Sequence, residues 1–224
     1  MNRNLKHLNL IGAALALSFV STFNAACQQG HFYVKGDLGG NLTQDTNLKE
    51  FFGPVTAGSK VKFDPGARVG VSAGYWITDW FAAEGETGVM ANSIKSITEA
   101  SRADAVFSNV PFLANVRFQI PNARFSPYIG GGAGGSASVL DTDRITINGT
   151  TMNGGDSDTV FAYQGFAGFK YQINDQMWAG IEYHYFATSR PEWRADFAFG
   201  TDTDKVRFGG ARTHSLSLTF SYSF

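Results

Sequence analysis

The sequence predicts an all-β fold: an eight-stranded antiparallel up-and-down transmembrane β-barrel. Three observations carry this. Apolar and polar residues alternate with period two over eight segments, mostly ten or so residues long, the length a tilted strand needs to cross a bilayer. Short turns alternate with long polar linkers between those segments. Charged residues make up only 17% of the 224 and aromatics 14%, with 26 Gly and 6 Pro, which argues against a disordered chain.

The first strand runs from Phe32 to Thr43. Phe32, Val34, Gly36, Leu38, Gly40 and Leu42 share one face; Tyr33, Lys35, Asp37, Gly39, Asn41 and Thr43 share the other. Successive side chains of a strand point to opposite faces, so one face is apolar and one polar. In the second, Ala67, Val69, Val71, Ala73 and Tyr75 oppose Arg68, Gly70, Ser72, Gly74 and Trp76. In the third, Phe81, Ala83 and Val89 oppose Glu84 and Glu86. The fourth runs from Val106 to Ile120, with Val110, Phe112, Ala114, Val116, Phe118 and Ile120 against Asn109, Asn115, Arg117 and Gln119. The fifth, Tyr128 to Val139, is glycine-rich and its facing is ambiguous; Ile129, Ala133, Ala137 and Val139 form the more apolar set. The sixth sets Phe161, Tyr163, Ala167, Phe169 and Tyr171 against Gln164, Lys170 and Gln172. The seventh sets Met177, Ala179, Ile181, Tyr183 and Tyr185 against Gly180, Glu182 and His184. The eighth sets Leu216, Leu218, Phe220, Tyr222 and Phe224 against serines and Thr219.

Short turns lie at Ile77–Asp79, Pro121–Ser126 and Ile173–Gln176, and long polar linkers at about 44–60, 92–105, 140–158 and 187–211. Short turns at one end and long loops at the other describe an outer-membrane barrel. A sandwich has no reason for that regularity.

Residues 1–27 are expected to be a signal peptide, with the barrel domain spanning 28–224. Arg3 and Lys6 precede an apolar run from Leu8 to Val20, and Ala25, Ala26 and Cys27 follow. That order is the secretory pattern, and the run is too short for a membrane anchor. Cleavage before Gln28 is the first reading; lipidation of Cys27 is the alternative, although Asn24 stands where a lipobox wants Leu. The net charge of −1 points to no nucleic-acid partner. A single Cys excludes a disulfide framework and a multi-Cys metal site.

Alternation alone does not say which face is inside. A lipocalin-like soluble binder turns its apolar face inward, and a membrane barrel turns it outward. Three features favour the membrane arrangement. Isolated charges stand among small residues on the polar face. Phe32, Tyr75, Trp80, Tyr128, Tyr171, Tyr185, Tyr222 and Phe224 gather near strand ends, as interfacial girdles do. The chain also stops on Phe224 within the last strand.

Gly74-Tyr75-Trp76-Ile77-Thr78-Asp79, Val110 to Arg117, Pro127-Tyr128-Ile129-Gly130 and Phe161-Ala162-Tyr163-Gln164-Gly165 resemble segments of the small eight-stranded outer-membrane β-barrel family, which contains the OmpA and OmpX transmembrane barrels. Leu216, Leu218, Phe220, Tyr222 and Phe224 are similar to the terminal signal read by the barrel-assembly machinery. The resemblance covers most of residues 31–224. It implies location in the cell outer membrane of a Gram-negative type bacterium, with outer-membrane lipids, lipopolysaccharide and the assembly machinery as partners.

The expected interior ion network is Lys35, Asp37, Arg68, Glu84, Glu86, Arg117, Lys170 and Glu182, four cations and four anions. Eight strands enclose little more than side chains, so the pairs are expected to plug the barrel; a narrow or gated porin-like channel is the alternative. Paired carboxylates such as Glu84 and Glu86 also suit acid–base work, but nearby arginines explain them more simply. No catalytic residue, cofactor or metal site is expected. His31, His184 and His214 lie on separate strands without ligand spacing, and His184 is expected to join the interior network. A lipid A hydrolase of the Ser–His kind would need Ser two residues from His on one face, and Leu216 occupies that place after His214.

Function is expected in the loops, through envelope integrity or surface interaction, without enzymatic chemistry. The last linker interleaves aromatics and cations, and Trp193, Arg194 and Arg207 are its candidate contacts for an extracellular partner. Phe197, Phe199, Lys205 and Phe208 accompany them. Asp141, Asp143, Asp156 and Asp158 lack the spacing of a calcium loop.

Overall fold

A computed structural model describes residues 32–51, 55–98, 100–121, 124–147, 150–194 and 205–224, without the side chains of residues 102, 150–153, 194 and 205. The expected signal peptide with Cys27, and His31, Phe197 and Phe199, lie outside the described residues. The described residues form twelve strands: β1 (Phe32–Thr43), β2 (Thr46–Phe51), β3 (Lys60–Phe63), β4 (Gly66–Thr78), β5 (Phe81–Ile97), β6 (Ala100–Gln119), β7 (Phe125–Ile147), β8 (Thr150–Gln172), β9 (Met177–Thr188), β10 (Glu192–Arg194), β11 (Lys205–Phe208) and β12 (Arg212–Ser223).

Eight of them form a ring of antiparallel pairs. Starting at β1 the neighbours run β4, β5, β6, β7, β8, β9 and β12, and β12 pairs back onto β1 with Tyr33 opposite Ser223. A ring has no free edge, so each barrel strand finds hydrogen-bond partners on both sides, as hydrocarbon requires. Pro111 sits within β6, where a missing N–H would break a ladder. The β5–β6 register is itself interrupted there: Thr87 pairs with Phe112 and the next pair is Met90 with Asn109.

The face that the period-two pattern marks as apolar points out. Leu38, Leu216 and Leu218 are 64, 61 and 69% exposed, while Lys35, Arg68, Glu84 and Glu182 are buried. The glycine-rich strand β7 resolves the same way, with Ile129 outward and Tyr128, Ser136 and Ser138 inward. Tyr128 is therefore a correction: it lines the interior and does not belong to a girdle. Phe32, Tyr75, Trp80 and Tyr171 are exposed near the short-turn end, where amphipathic rings meet the interface.

The long polar linkers are the larger correction. Strands β7 and β8 each run 23 residues, about twice what a bilayer crossing needs, so the segments expected as loops at 92–105 and 140–158 continue the sheet. The other two linkers contain β2, β10 and β11, and β3 begins where the first of them ends; these four extend the sheet in the order β5-β3-β2-β11-β10. A second tier thus stands on the barrel, half built from the tall strands and half from the short ones.

That tier has its own apolar core. Leu48, Phe51, Val61, Ile94, Ile97, Phe107, Leu140, Ile145, Ile147, Trp193, Val206, Phe208 and Ala211 pack together. Trp193 is fully buried, lies edge-on to Phe208 at 4.9 Å and donates its indole N–H to Ser138 O at 2.9 Å. Outward residues of the tier are polar: Lys62, Lys95, Asp104, Asp141 and Arg207 are exposed. Its polarity is thus opposite to that of the barrel below, because water and not lipid lies outside it.

Candidate functional site

The barrel interior is layered, and chain order sets the layers. Climbing β5 from the short-turn end, the inward residues are Glu84, Glu86, Met90, Asn92 and Ile94; on β6 they are Arg117, Asn115, Leu113, Asn109 and Phe107. Each strand passes from charge to apolar, then to an amide, then to apolar again, and on β6 an amide, Asn115, also stands between the charge and the first apolar residue.

The lowest of these layers is ionic. Arg117 ion-pairs with Glu84, and its Nη2 lies 3.1 Å from Glu182 Oε2. Lys35 Nζ lies 2.7 Å from Glu182 Oε1 and 4.0 Å from Glu84 Oε2. His184 Nε2 is 2.8 Å from Glu182 Oε1. The Tyr33 hydroxyl donates to Glu84, and the Arg117 guanidinium stacks 4.3 Å from the Tyr128 ring. Charges withdrawn from water need such partners.

One layer higher, Arg68 Nε donates to Asp37 Oδ1 at 2.8 Å and Nη2 to Glu86 Oε1 at 2.5 Å. The second Glu86 oxygen accepts from Asn115 Nδ2 at 2.8 Å and Gln164 Nε2 at 2.6 Å. His184 Nδ1, 3.4 Å from Gln164 Oε1, links the two layers. Met90, Leu113, Ala162 and Phe186 then form an apolar layer. Above it Thr43 donates to Asn92 Oδ1 at 2.8 Å and Ser138 to Asn109 Oδ1 at 2.8 Å, beneath the upper core.

Seven of the eight residues expected in the network meet in these two ionic layers. Lys170 stands apart. Its Nζ lies 4.9 Å from the Trp76 ring and 4.3 Å from the Trp178 ring, and no carboxylate of the described residues is within ion-pair distance. Two aromatic faces take the place of a counter-ion there. Tyr33, Tyr128, Asn115 and Gln164 were not among the expected network. Tyr33, Asn115 and Gln164 share the parity of the charged residues on their own strands, and that parity is the signal that would have found them; Tyr128 stands on β7, which carries none of the eight.

Small inward residues make the room. A Cβ on Gly74 would come within 2.4 Å of the Tyr33 ring, so that glycine is a socket for the tyrosine. Glu84 pairs with Arg117 and accepts from Tyr33, and Glu86 pairs with Arg68 and accepts from Asn115 and Gln164. His214 bonds Gln44 Nε2 at 2.8 Å and the Tyr183 hydroxyl at 2.6 Å on the outer rim.

The candidate loop contacts divide. Trp193 is buried in the upper core and offers no surface. Arg207 is exposed but paired, 2.6 Å from Glu192 Oε2 and 3.6 Å from Glu50 Oε2. Arg194 continues β10, and its side chain lies outside the described residues. Asp158 accepts from Glu192 N at 2.8 Å, and no group of metal-ligating residues occurs among the described residues.

Residues 12–224 match the family described as outer membrane protein beta-barrel domain. No curated protein sequence matches the chain. Among solved structures, the fold is similar to that of the outer membrane protein OprG from Pseudomonas aeruginosa, at 17% identity and a TM-score of 0.62, over 88% of this chain and 97% of that one. It is also similar to Neisserial surface protein A, at 14% identity and a TM-score of 0.53, over 88% of this chain and all of the other.

Proposed function

This chain belongs to the outer membrane protein beta-barrel domain family, and from that premise we propose that it acts as a non-enzymatic, non-conducting outer-membrane protein. Its barrel sits among the lipids of a Gram-negative outer membrane. Its working surface is the ordered upper tier, which serves envelope integrity or contact outside the cell. Residues 1–27 act as the export signal. Leu216, Leu218, Phe220, Tyr222 and Phe224 act as the signal to the barrel-assembly machinery.

One observation supports the non-conducting reading above the rest. Side chains span the lumen at successive levels, first as the Arg117–Glu84–Lys35–Glu182 pairs, then as Arg68 between Asp37 and Glu86, then as Met90, Leu113 and Phe186. An ion crossing this stack would have to break buried pairs and then pass an apolar layer, and both steps are costly. The test is a planar-bilayer recording on refolded protein beside a porin control. The expected record is flat. Reproducible conductance steps would replace this reading with that of a narrow channel.

A further inference from the structure

Where the two tiers part, the outer surface opens into a cleft of about 760 Å³, within the ~300–1,000 Å³ typical of ligand sites. Its floor is a row of outward residues in register across three barrel strands: Tyr163 pairs with Ala187, and Ala187 with Arg212. Lys49 and Arg190 stand on its walls, and among the described residues Asp45 is the one carboxylate in the lining.

The three cations are exposed, and none has a carboxylate of the described residues within ion-pair distance. Lys95 lies 3.8 Å from Asp64 and Arg207 reaches two glutamates; Lys60, Lys62 and Arg144 are exposed and, among the described residues, unpaired like the cleft cations, but none of them lines this cleft. What sets Lys49, Arg190 and Arg212 apart is that they line one cleft together, three cations against the single carboxylate of Asp45.

The height of the cleft selects its ligand. Climbing the outer face of β12, the residues are Phe220, Leu218, Leu216, His214 and Arg212, so the apolar band ends at Leu216, with His214 between it and Arg212. Tyr163 is exposed in the same row as Arg212. A tyrosine with a polar tip marks the membrane interface. Cations at that level meet the phosphates of outer-leaflet headgroups, and Arg engages phosphate through paired, charge-assisted bonds.

We propose that this cleft binds the phosphorylated sugar headgroup of an outer-leaflet glycolipid, with Arg190, Arg212 and Lys49 on the phosphate. The inference rests on the outer-membrane reading and narrows it to one lateral site.

The test compares wild-type protein in detergent with the K49Q/R190Q/R212Q variant, using lipid A as probe and native mass spectrometry to count bound lipid. A K62Q/K95Q variant controls for charge alone. Wild type and control are expected to hold lipid A alike, and the triple variant about tenfold more weakly. Lipid A stripped of its phosphates is expected to bind wild type as weakly as intact lipid A binds the variant. Equal binding by wild type and triple variant overturns the site, as does undiminished binding of the stripped lipid. Displacement of lipid A by excess inorganic phosphate alone would make it a site for free phosphate and overturn the lipid assignment. A heat-modifiability gel on the same samples reports the barrel separately. A barrel that shifts on boiling but binds nothing refutes only the cleft, whereas loss of the shift in wild type refutes the outer-membrane reading itself.

Discussion

Arg117 and Gly74 show how single residues hold the interior. Arg117 is shared by Glu84 and Glu182 and stacked on Tyr128. Replacing it with Met leaves two buried carboxylates with Lys35 as their remaining close cation. Breaking a buried pair costs about 3–5 kcal/mol, so the urea midpoint of the folded barrel in vesicles is expected to fall, and Glu84→Gln in the same chain to recover part of it. Gly74 tests space and not charge. Gly74→Ala drives a methyl into the Tyr33 ring, a form of overpacking that costs about 1–3 kcal/mol. Adding Tyr33→Ser should restore more stability than it removes; a double variant weaker than either single one would dismiss the socket. Much at this scale was legible as parity. Lys35, Asp37 and Tyr33 share one face of one strand, as do Glu84 and Glu86. Parity misled where glycine blurred it: Tyr128 reads as a girdle aromatic until Ser126 and Gly130 are seen to share its face. Nothing in a one-dimensional pattern placed Lys170 between Trp76 and Trp178, because Trp76 stands on β4, distant in sequence from the β8–β9 hairpin that carries the other two.

The strands divide by how far their alternation extends. Those of the barrel were legible because one face is apolar for ten residues without a break. The upper ones were not. In Thr46–Phe51 the buried pair Leu48 and Phe51 is separated by Lys49 and Glu50, and in β7 Leu140 and Ile145 enclose Asp141, Asp143 and Arg144. Such segments carry many charges because their outer face is wet, and they read as loops. They are short, and a bulge between Thr142 and Ile145 breaks the period. Their stability comes from the core they share. Trp193→Ala removes the largest side chain of that core and is expected to cost about 3–5 kcal/mol, confined to the upper tier. Limited proteolysis should then cut within β10–β11 while the barrel keeps its heat-shifted mobility. Unchanged protection of those strands would mean that Trp193 does not hold them.

As a whole, the molecule puts three barriers in series, two ionic and one apolar, and their redundancy has a measurable form. Removing one is expected to leave the bilayer record flat. Phe186→Ala opens the apolar layer but leaves Arg68 between Asp37 and Glu86, so steps are expected only when the ionic layers are cut as well. Conductance from Phe186→Ala alone would show that the apolar layer is the whole seal.

The reversal of polarity along the tall strands has one more consequence. In β6, Phe112, Val116 and Phe118 face outward low on the strand, and Asp104 faces outward above them. One strand thus carries its own waterline. Sinking by a few residues would bring aspartates into hydrocarbon, and rising by as many would bare leucines and phenylalanines to water, each at several kcal/mol around the ring. The protein floats at one draught, fixed by the hull, and needs no anchor chain.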